Sequence, residues 1–191
     1  MTTTAGVDVT TLNAFEHRRL DGLKTEIRMG DLVSRQAVSL VVRLKFPVAA
    51  DGTRASAVFS LVDADGGLAA SETDCTWTYA SPAENDRQTR NVVVDREVAK
   101  LYAAKAREEA LKLNQERRYD NAQQRLRVTG DRIRQYAGED AMLNSIIGEL
   151  AESDVTYASM LSLAAAKVER YKSYNAARMR AADGKARRHK P

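Results

Sequence analysis

Hydrophobic positions over the first ninety or so residues recur with period two or as short runs broken by turn residues, the signature of antiparallel strands. Val7 and Val9 predict a first short strand, and Leu23 to Ile27 a second, followed by a turn at Met29-Gly30-Asp31-Leu32. The clearest strand is Ala37 to Phe46. There Val38, Leu40, Val42, Leu44 and Phe46 share one parity and are expected to face one core, while Ser39, Val41, Arg43 and Lys45 take the opposite, wetter face. Pro47 ends that strand and Asp51-Gly52 marks a turn. Ser56 to Asp63 resumes the extended pattern, the turn-like Asp63-Ala64-Asp65-Gly66-Gly67 follows, and Cys75 to Tyr79 predicts a further strand. Strands recurring about every 10 residues point to a small β-sandwich. The polar segment Ser81 to Asn91 reads as a connector, with Val92-Val93-Val94 open as a last strand.

From Asp95, taken as an N-cap, the period becomes helical. Ala99, Tyr102, Ala103, Ala106, Ala110 and Leu113 form one stripe. A second helix runs from Tyr119 through Ala122, Leu126 and Ile133 to Gly138, whose place after the last helical residue suits a C-terminal cap. A third runs from about Glu139 through Leu143, Ile146, Ile147 and Leu150. A fourth begins after Ser153-Asp154 and carries Leu161, Ala164, Ala165, Val168 and Tyr171. The short connections predict antiparallel neighbours. The expected fold is therefore α+β, with an N-terminal antiparallel β-sandwich-like domain over 1–92, a C-terminal antiparallel bundle of about four helices over 93–177, and a basic tail over 178–191.

Composition is that of a folding chain: of 191 residues, 43% are hydrophobic and 29% charged. No run approaches the roughly 18 apolar residues of a membrane span, and the N-terminus lacks the basic start and apolar stretch of a secretory signal. No membrane partner is expected, and a cytoplasmic location is the default. The single cysteine, Cys75, has no partner within the chain and sits in a strand-like run, where a small buried hydrophobe is the ordinary reading. The net charge of +4 is uneven: Arg178, Arg180, Lys185, Arg187, Arg188 and Lys190 against Asp183 give the tail +5 and leave the rest at −1.

Candidate chemistry is sparse. The sequence holds no G-x-G-x-x-G, G-x-x-x-x-G-K-[ST] or G-x-S-x-G, and its two histidines, His17 and His189, lie near opposite ends. No nucleophile, base and orienting group can be named together, so neither catalysis nor a cofactor is expected. Asp63-Ala64-Asp65-Gly66-Gly67 has the acidic spacing that opens a calcium loop, but Leu68 occupies the glycine position and Asp74 the place of the bidentate Glu. A tight turn is the better account. The tail admits three readings: a helix end whose cations complement the dipole, a docking segment, or a nucleic-acid contact through phosphate neutralisation. Tyr102, Tyr119, Tyr136, Tyr157, Tyr171 and Tyr174 read as core residues with hydroxyls at the rim. Trp77 and Tyr79 share strand parity, and become candidate protein contacts if their face is uncovered.

Two stretches carry a family resemblance. Met29-Gly30-Asp31-Leu32-Val33-Ser34-Arg35-Gln36 with the strand after it, and Asn85 to Ala99, are similar to the region that follows the von Willebrand factor type A (VWA) domain in bacterial VWA-containing proteins. The likeness continues through Ala106 to Arg125 and Gly184 to Arg188. It implies a β-sandwich packed beside a VWA domain, with a helical extension, acting as a scaffold in protein assembly. The VWA domain and its D-x-S-x-S metal motif are absent from these residues, so the resemblance implies a fragment of a longer protein or a short relative acting in trans. Ala110-Leu111-Lys112-Leu113 with Tyr119-Asp120-Asn121-Ala122 resembles one tetratricopeptide-type hairpin, except that Arg117-Arg118 stand where Gly-Asp is usual. The expected function is a non-catalytic protein-binding or scaffold module that partners a VWA domain in cis or in trans. The alternative is a nucleic-acid-associated protein using the basic tail.

Overall fold

The structure, a computed structural model, describes residues 1–31 and 38–178. The chain is α+β, with antiparallel strands preceding helices. It divides into two compact units. One holds residues 1–11, 15–31 and 42–90; the other holds, of the described residues, 12–14, 38–41 and 91–178.

The strand unit contains three small antiparallel sheets. β1 (Thr2–Thr3), β6 (Arg54–Leu61) and β7 (Ser71–Thr78) form the largest, in the order β1-β6-β7. β2 (Asp8–Thr11) pairs with β5 (Val42–Lys45), and β3 (Glu16–Arg19) with β4 (Thr25–Arg28). The β6–β7 register runs unbroken from Arg54↔Thr78 to Leu61↔Ser71. Its core is thin: Val7, Ala55 and Ala57 are the fully buried apolar side chains of this unit. The chain start is tied in, since the Met1 amino group donates to the Thr25 carbonyl at 3.0 Å and Thr25 N–H donates to the Met1 carbonyl at 2.9 Å.

One strand expectation needs correcting, and one strand was not expected at all. Of the predicted strand, Ala37 lies outside the described residues, and among residues 38–46 the ladder covers only Val42–Lys45. Ahead of it, the Asn13 side chain takes over: its amide donates to the Ser39 carbonyl at 3.0 Å, and its oxygen accepts from Val41 N–H at 2.7 Å. The predicted alternation persists in part, with Val38, Leu40, Val42, Leu44 and Phe46 half-buried and Ser39, Arg43 and Lys45 exposed; Val41, expected on the wetter face, is half-buried too, and none of the five reaches a closed core. β3, Glu-His-Arg-Arg, has no hydrophobic period to announce it. It forms because Asp21 builds the turn, its carboxylate accepting from Leu23 and Lys24 N–H at 2.7 Å each.

The helices number five among the described residues. α1 (Pro82–Asn85) is a single turn inside the polar connector, opened by a capping box between Ser81 and Glu84. α2 (Val92–Gln115) starts earlier than predicted: Asn91 caps it, accepting from Val93 and Val94 N–H, and Asp95 lies buried one turn in. The three valines are its first turn, not a strand, and face solvent. α3 (Tyr119–Ala137) ends at Gly138, where φ is 50°. Asp140 caps α4 (Ala141–Thr156), and Ser162 caps α5 (Leu163–Ala177).

α2 packs against α3, α4 and α5, and α3 against α4. That explains why α2 buries Leu101, Ala104 and Leu111 beside the predicted Ala99, Ala103, Ala106 and Ala110: a helix covered on several sides has a wide apolar face. The core adds Ala122, Leu126, Ile133, Leu143, Ile146, Leu150 and Tyr157. The stripe predicted for α5 is displaced. Val168 and Tyr171 are about half exposed, and the buried residues are Ala166, Ser173 and Asn175.

The α2–α3 turn is a Schellman motif: Arg118 N–H donates to the Leu113 carbonyl and Arg117 N–H to the Asn114 carbonyl. Arg117 occupies its left-handed position at φ 61°, where glycine is usual. Asn114 organises the α4–α5 connection. Its amide donates to the carbonyls of Tyr157 (3.1 Å) and Ser159 (2.8 Å), and its oxygen accepts from Leu161 N–H (3.1 Å).

Candidate functional site

The two predicted contact residues of the strand unit come together with a third. Phe46, one residue past β5, lies 5.2 Å from Trp77, centroid to centroid and tilted by 55°, and 6.4 Å from Tyr79 in an edge-on arrangement. Both spacings are favourable for aromatic pairs. Trp77 stands opposite Ala55 in the ladder. Tyr79 lies just past β7 and is fixed at both ends: its N–H donates to the Thr53 carbonyl at 2.8 Å, and its hydroxyl donates to the Pro47 carbonyl at 2.7 Å. Gly6, at φ 80°, abuts Pro47 so closely that a Cβ there would sit 3.2 Å from the proline ring. Phe46 and Tyr79 are half-buried and Trp77 is 37% exposed. The result is a small, partly uncovered aromatic surface whose members are held in place by these contacts. Phe46 was legible only as a core-facing strand residue; nothing in the sequence joined it to Trp77.

Other candidates resolve differently. Of the basic cluster, Arg178 caps α5 and lies over the Tyr174 ring, 4.3 Å from its centroid. Arg180, Lys185, Arg187, Arg188 and Lys190 lie outside the described residues. The Asp63 carboxylate is occupied by its own turn, accepting from Asp65 N–H at 3.2 Å and Leu68 N–H at 2.9 Å. His17 Nδ1 is 3.4 Å from the Thr11 hydroxyl. Cys75 is a half-buried free thiol on the Ala57 register. Among the described residues no group of three or more His, Cys, Asp or Glu side chains is placed to hold a metal ion. Nor is any helix among them long and apolar enough to cross a membrane.

The tyrosines of the helical half split. Tyr157 is fully buried, and burial, reinforced by the Glu169 charge, pushes its phenol well above the ordinary range; its hydroxyl has no hydrogen-bond partner. Tyr102, Tyr171 and Tyr174 are instead 40–49% exposed. Charged side chains mostly satisfy one another. Glu26 on β4 binds Arg18 at 2.9 Å and Arg28 at 3.0 Å, and these two bonds hold its carboxyl below the usual range. Asp140 binds Arg96 at 2.6 Å while capping α4, and its carboxyl is likewise depressed, first by Arg96 and then by Leu143 N–H. Compared with family models, with curated proteins and with solved structures, the chain matches none.

Proposed function

We propose that the chain is a non-catalytic protein-binding module that engages its partner through the Phe46–Trp77–Tyr79 surface. One observation carries this reading: an aromatic cluster left partly uncovered, with its geometry locked by the Tyr79–Pro47 hydrogen bond. Aromatic side chains supply large contact area with few rotatable bonds, so pre-orienting them lowers the entropy lost on binding. A patch of this kind fits a partner that offers an apolar pocket with hydrogen-bonding groups at its rim. The resemblance in Met29–Gln36 and Asn85–Ala99 nominates a VWA domain, in cis or in trans, as the partner to test first.

The test pairs binding with stability on one variant. Trp77→Ala should abolish capture of a VWA domain while the folded circular-dichroism spectrum is kept; a large fall in melting temperature would instead assign the indole, 37% exposed and packed on Phe46, to the core. Tyr79→Phe, which removes only the bond to Pro47, should weaken binding less. Undiminished capture by Trp77→Ala rules out this surface as the contact. Salt-sensitive retention of DNA by the intact chain, with no protein partner, would support the nucleic-acid alternative instead.

A further inference from the structure

We infer that the outer edge of β7 is a self-association surface, on which β7 of a second copy adds antiparallel with Cys75 set against Cys75. The backbone geometry decides which groups are free. Tyr79 N–H bonds to Thr53, so Trp77, Cys75, Thr73 and Ser71, at the same parity, direct their N–H and C=O toward β6. Glu72, Asp74, Thr76 and Thr78 direct theirs outward. Across β6 the pattern agrees, since Thr4 N–H donates to the Ser56 carbonyl on the other side. No further strand pairs with β7 among the described residues, and seven of its eight residues are exposed.

An eight-residue edge with a continuous register and no bulge, proline, lysine or arginine has only Glu72 and Asp74 to oppose strand addition. β3, the outer strand of its own two-stranded sheet, is protected by contrast: four residues long, Glu-His-Arg-Arg, and exposed throughout. The sequence Ser-Glu-Thr-Asp-Cys-Thr-Trp-Thr is also self-complementary about Cys75. Pairing there places Asp74 opposite Thr76 and Glu72 opposite Thr78 of the second copy, so each carboxylate meets a hydroxyl and no like charges oppose directly. Moving the register by two residues one way opposes Asp74 to Asp74; moving it the other way shortens the ladder. The chosen register forms about eight backbone hydrogen bonds, two for each outward-facing pair, around a two-fold axis.

This register is testable with the chain alone. Sedimentation should show a concentration-dependent dimer of twice 21.1 kDa. Thr76→Lys places an ammonium opposite Asp74 on both sides of the axis and should tighten the dimer several-fold, whereas Thr76→Asp should weaken it by a similar factor. Thr76 is exposed, so neither change threatens the fold. In a non-hydrogen-bonded pair the Cα atoms lie about 4.5 Å apart, within the span of a disulfide. Diamide should therefore accept two electrons and two protons from the paired Cys75 thiols, giving a reducible covalent dimer that Thr76→Asp suppresses. A chain that sediments as a monomer at its highest soluble concentration overturns the inference, as does equal weakening by Lys and Asp at position 76. Trp77 lies on β7 itself and stands opposite Thr73 of the second copy in this register, but partner capture uses its side chain and the dimer uses the backbone edge, so a monomer that still captures a partner through Trp77 refutes self-association alone.

Discussion

Asn114 is one side chain holding three backbone groups of a loop, and its removal tests how the helical unit is closed. The residue is 2% exposed, and its amide satisfies the Tyr157 and Ser159 carbonyls while its oxygen satisfies Leu161 N–H. Asn114→Ala deletes all three bonds and admits no replacement from the shortened side chain. At about 0.5–1.5 kcal/mol net per bond the loss comes to about 3 kcal/mol. For a unit of about 100 residues each kcal/mol shifts the melting temperature by about 4–8 °C, so the helical transition should fall by roughly 12–24 °C. Urea unfolding followed by helical circular dichroism measures this directly. Asn114→Asp should be worse than alanine at neutral pH, because a carboxylate would face two carbonyl oxygens, and should recover in acid as it gains a proton. A loss below about 1 kcal/mol for Asn114→Ala, within the range of one ordinary hydrogen bond, would show that the loop is held by something else.

Four further outcomes follow from the same unit. Gly130→Ala and Gly148→Ala, where a Cβ meets nothing within 4 Å, should each stabilise their helix by about 0.5–1 kcal/mol, read as a higher urea midpoint. Arg117→Gly should relieve the left-handed backbone and raise stability by about 1 kcal/mol; a loss there would mean the arginine side chain matters more than its φ. Tyr157→Phe removes a buried hydroxyl with no partner and should raise stability by about 1 kcal/mol, seen in the same denaturation curves. Asp140 has a folded-state pKa below its ordinary value, so its contribution is complete above the normal carboxylate range and is lost as pH falls through the depressed value. Asp140→Asn should therefore flatten the acid limb of a stability-against-pH curve without abolishing the helix cap.

The helical half was the more legible because its stops and starts are written locally. Gly138 ends α3 as its position predicts, and Asp140 begins α4 within two residues of the expected start. The beginning of α2 was missed for a physical reason. Three consecutive valines resemble a strand, yet at a helix N-terminus their branched side chains point into solvent, and the Asn91 cap outweighs their β preference. In the strand half, most of the parity of Val38 to Phe46 was readable, but not that the Asn13 side chain, some 26 residues away, would bind the Ser39 carbonyl and the Val41 N–H. The aromatic surface was half readable. Trp77 and Tyr79 announce themselves by spacing, whereas Phe46 joins them through a tertiary contact that no local pattern encodes.

The order in which the chain is made and the order in which its parts can close run opposite ways. β1 contains the second and third residues of the chain; it can first bond residues 23–25, but its ladder partners are Val58 and Ala57, so its sheet cannot form until more than fifty further residues are made. α2, α3 and α4 meet their neighbours across short turns. Loop closure for the sheet is slow and for the hairpinned helices fast. On refolding from denaturant, helical signal should return before the Trp77 environment does. During translation, the lightly protected β7 edge would be complete while the helices are still being made, and that is when a chaperone would have most to shield.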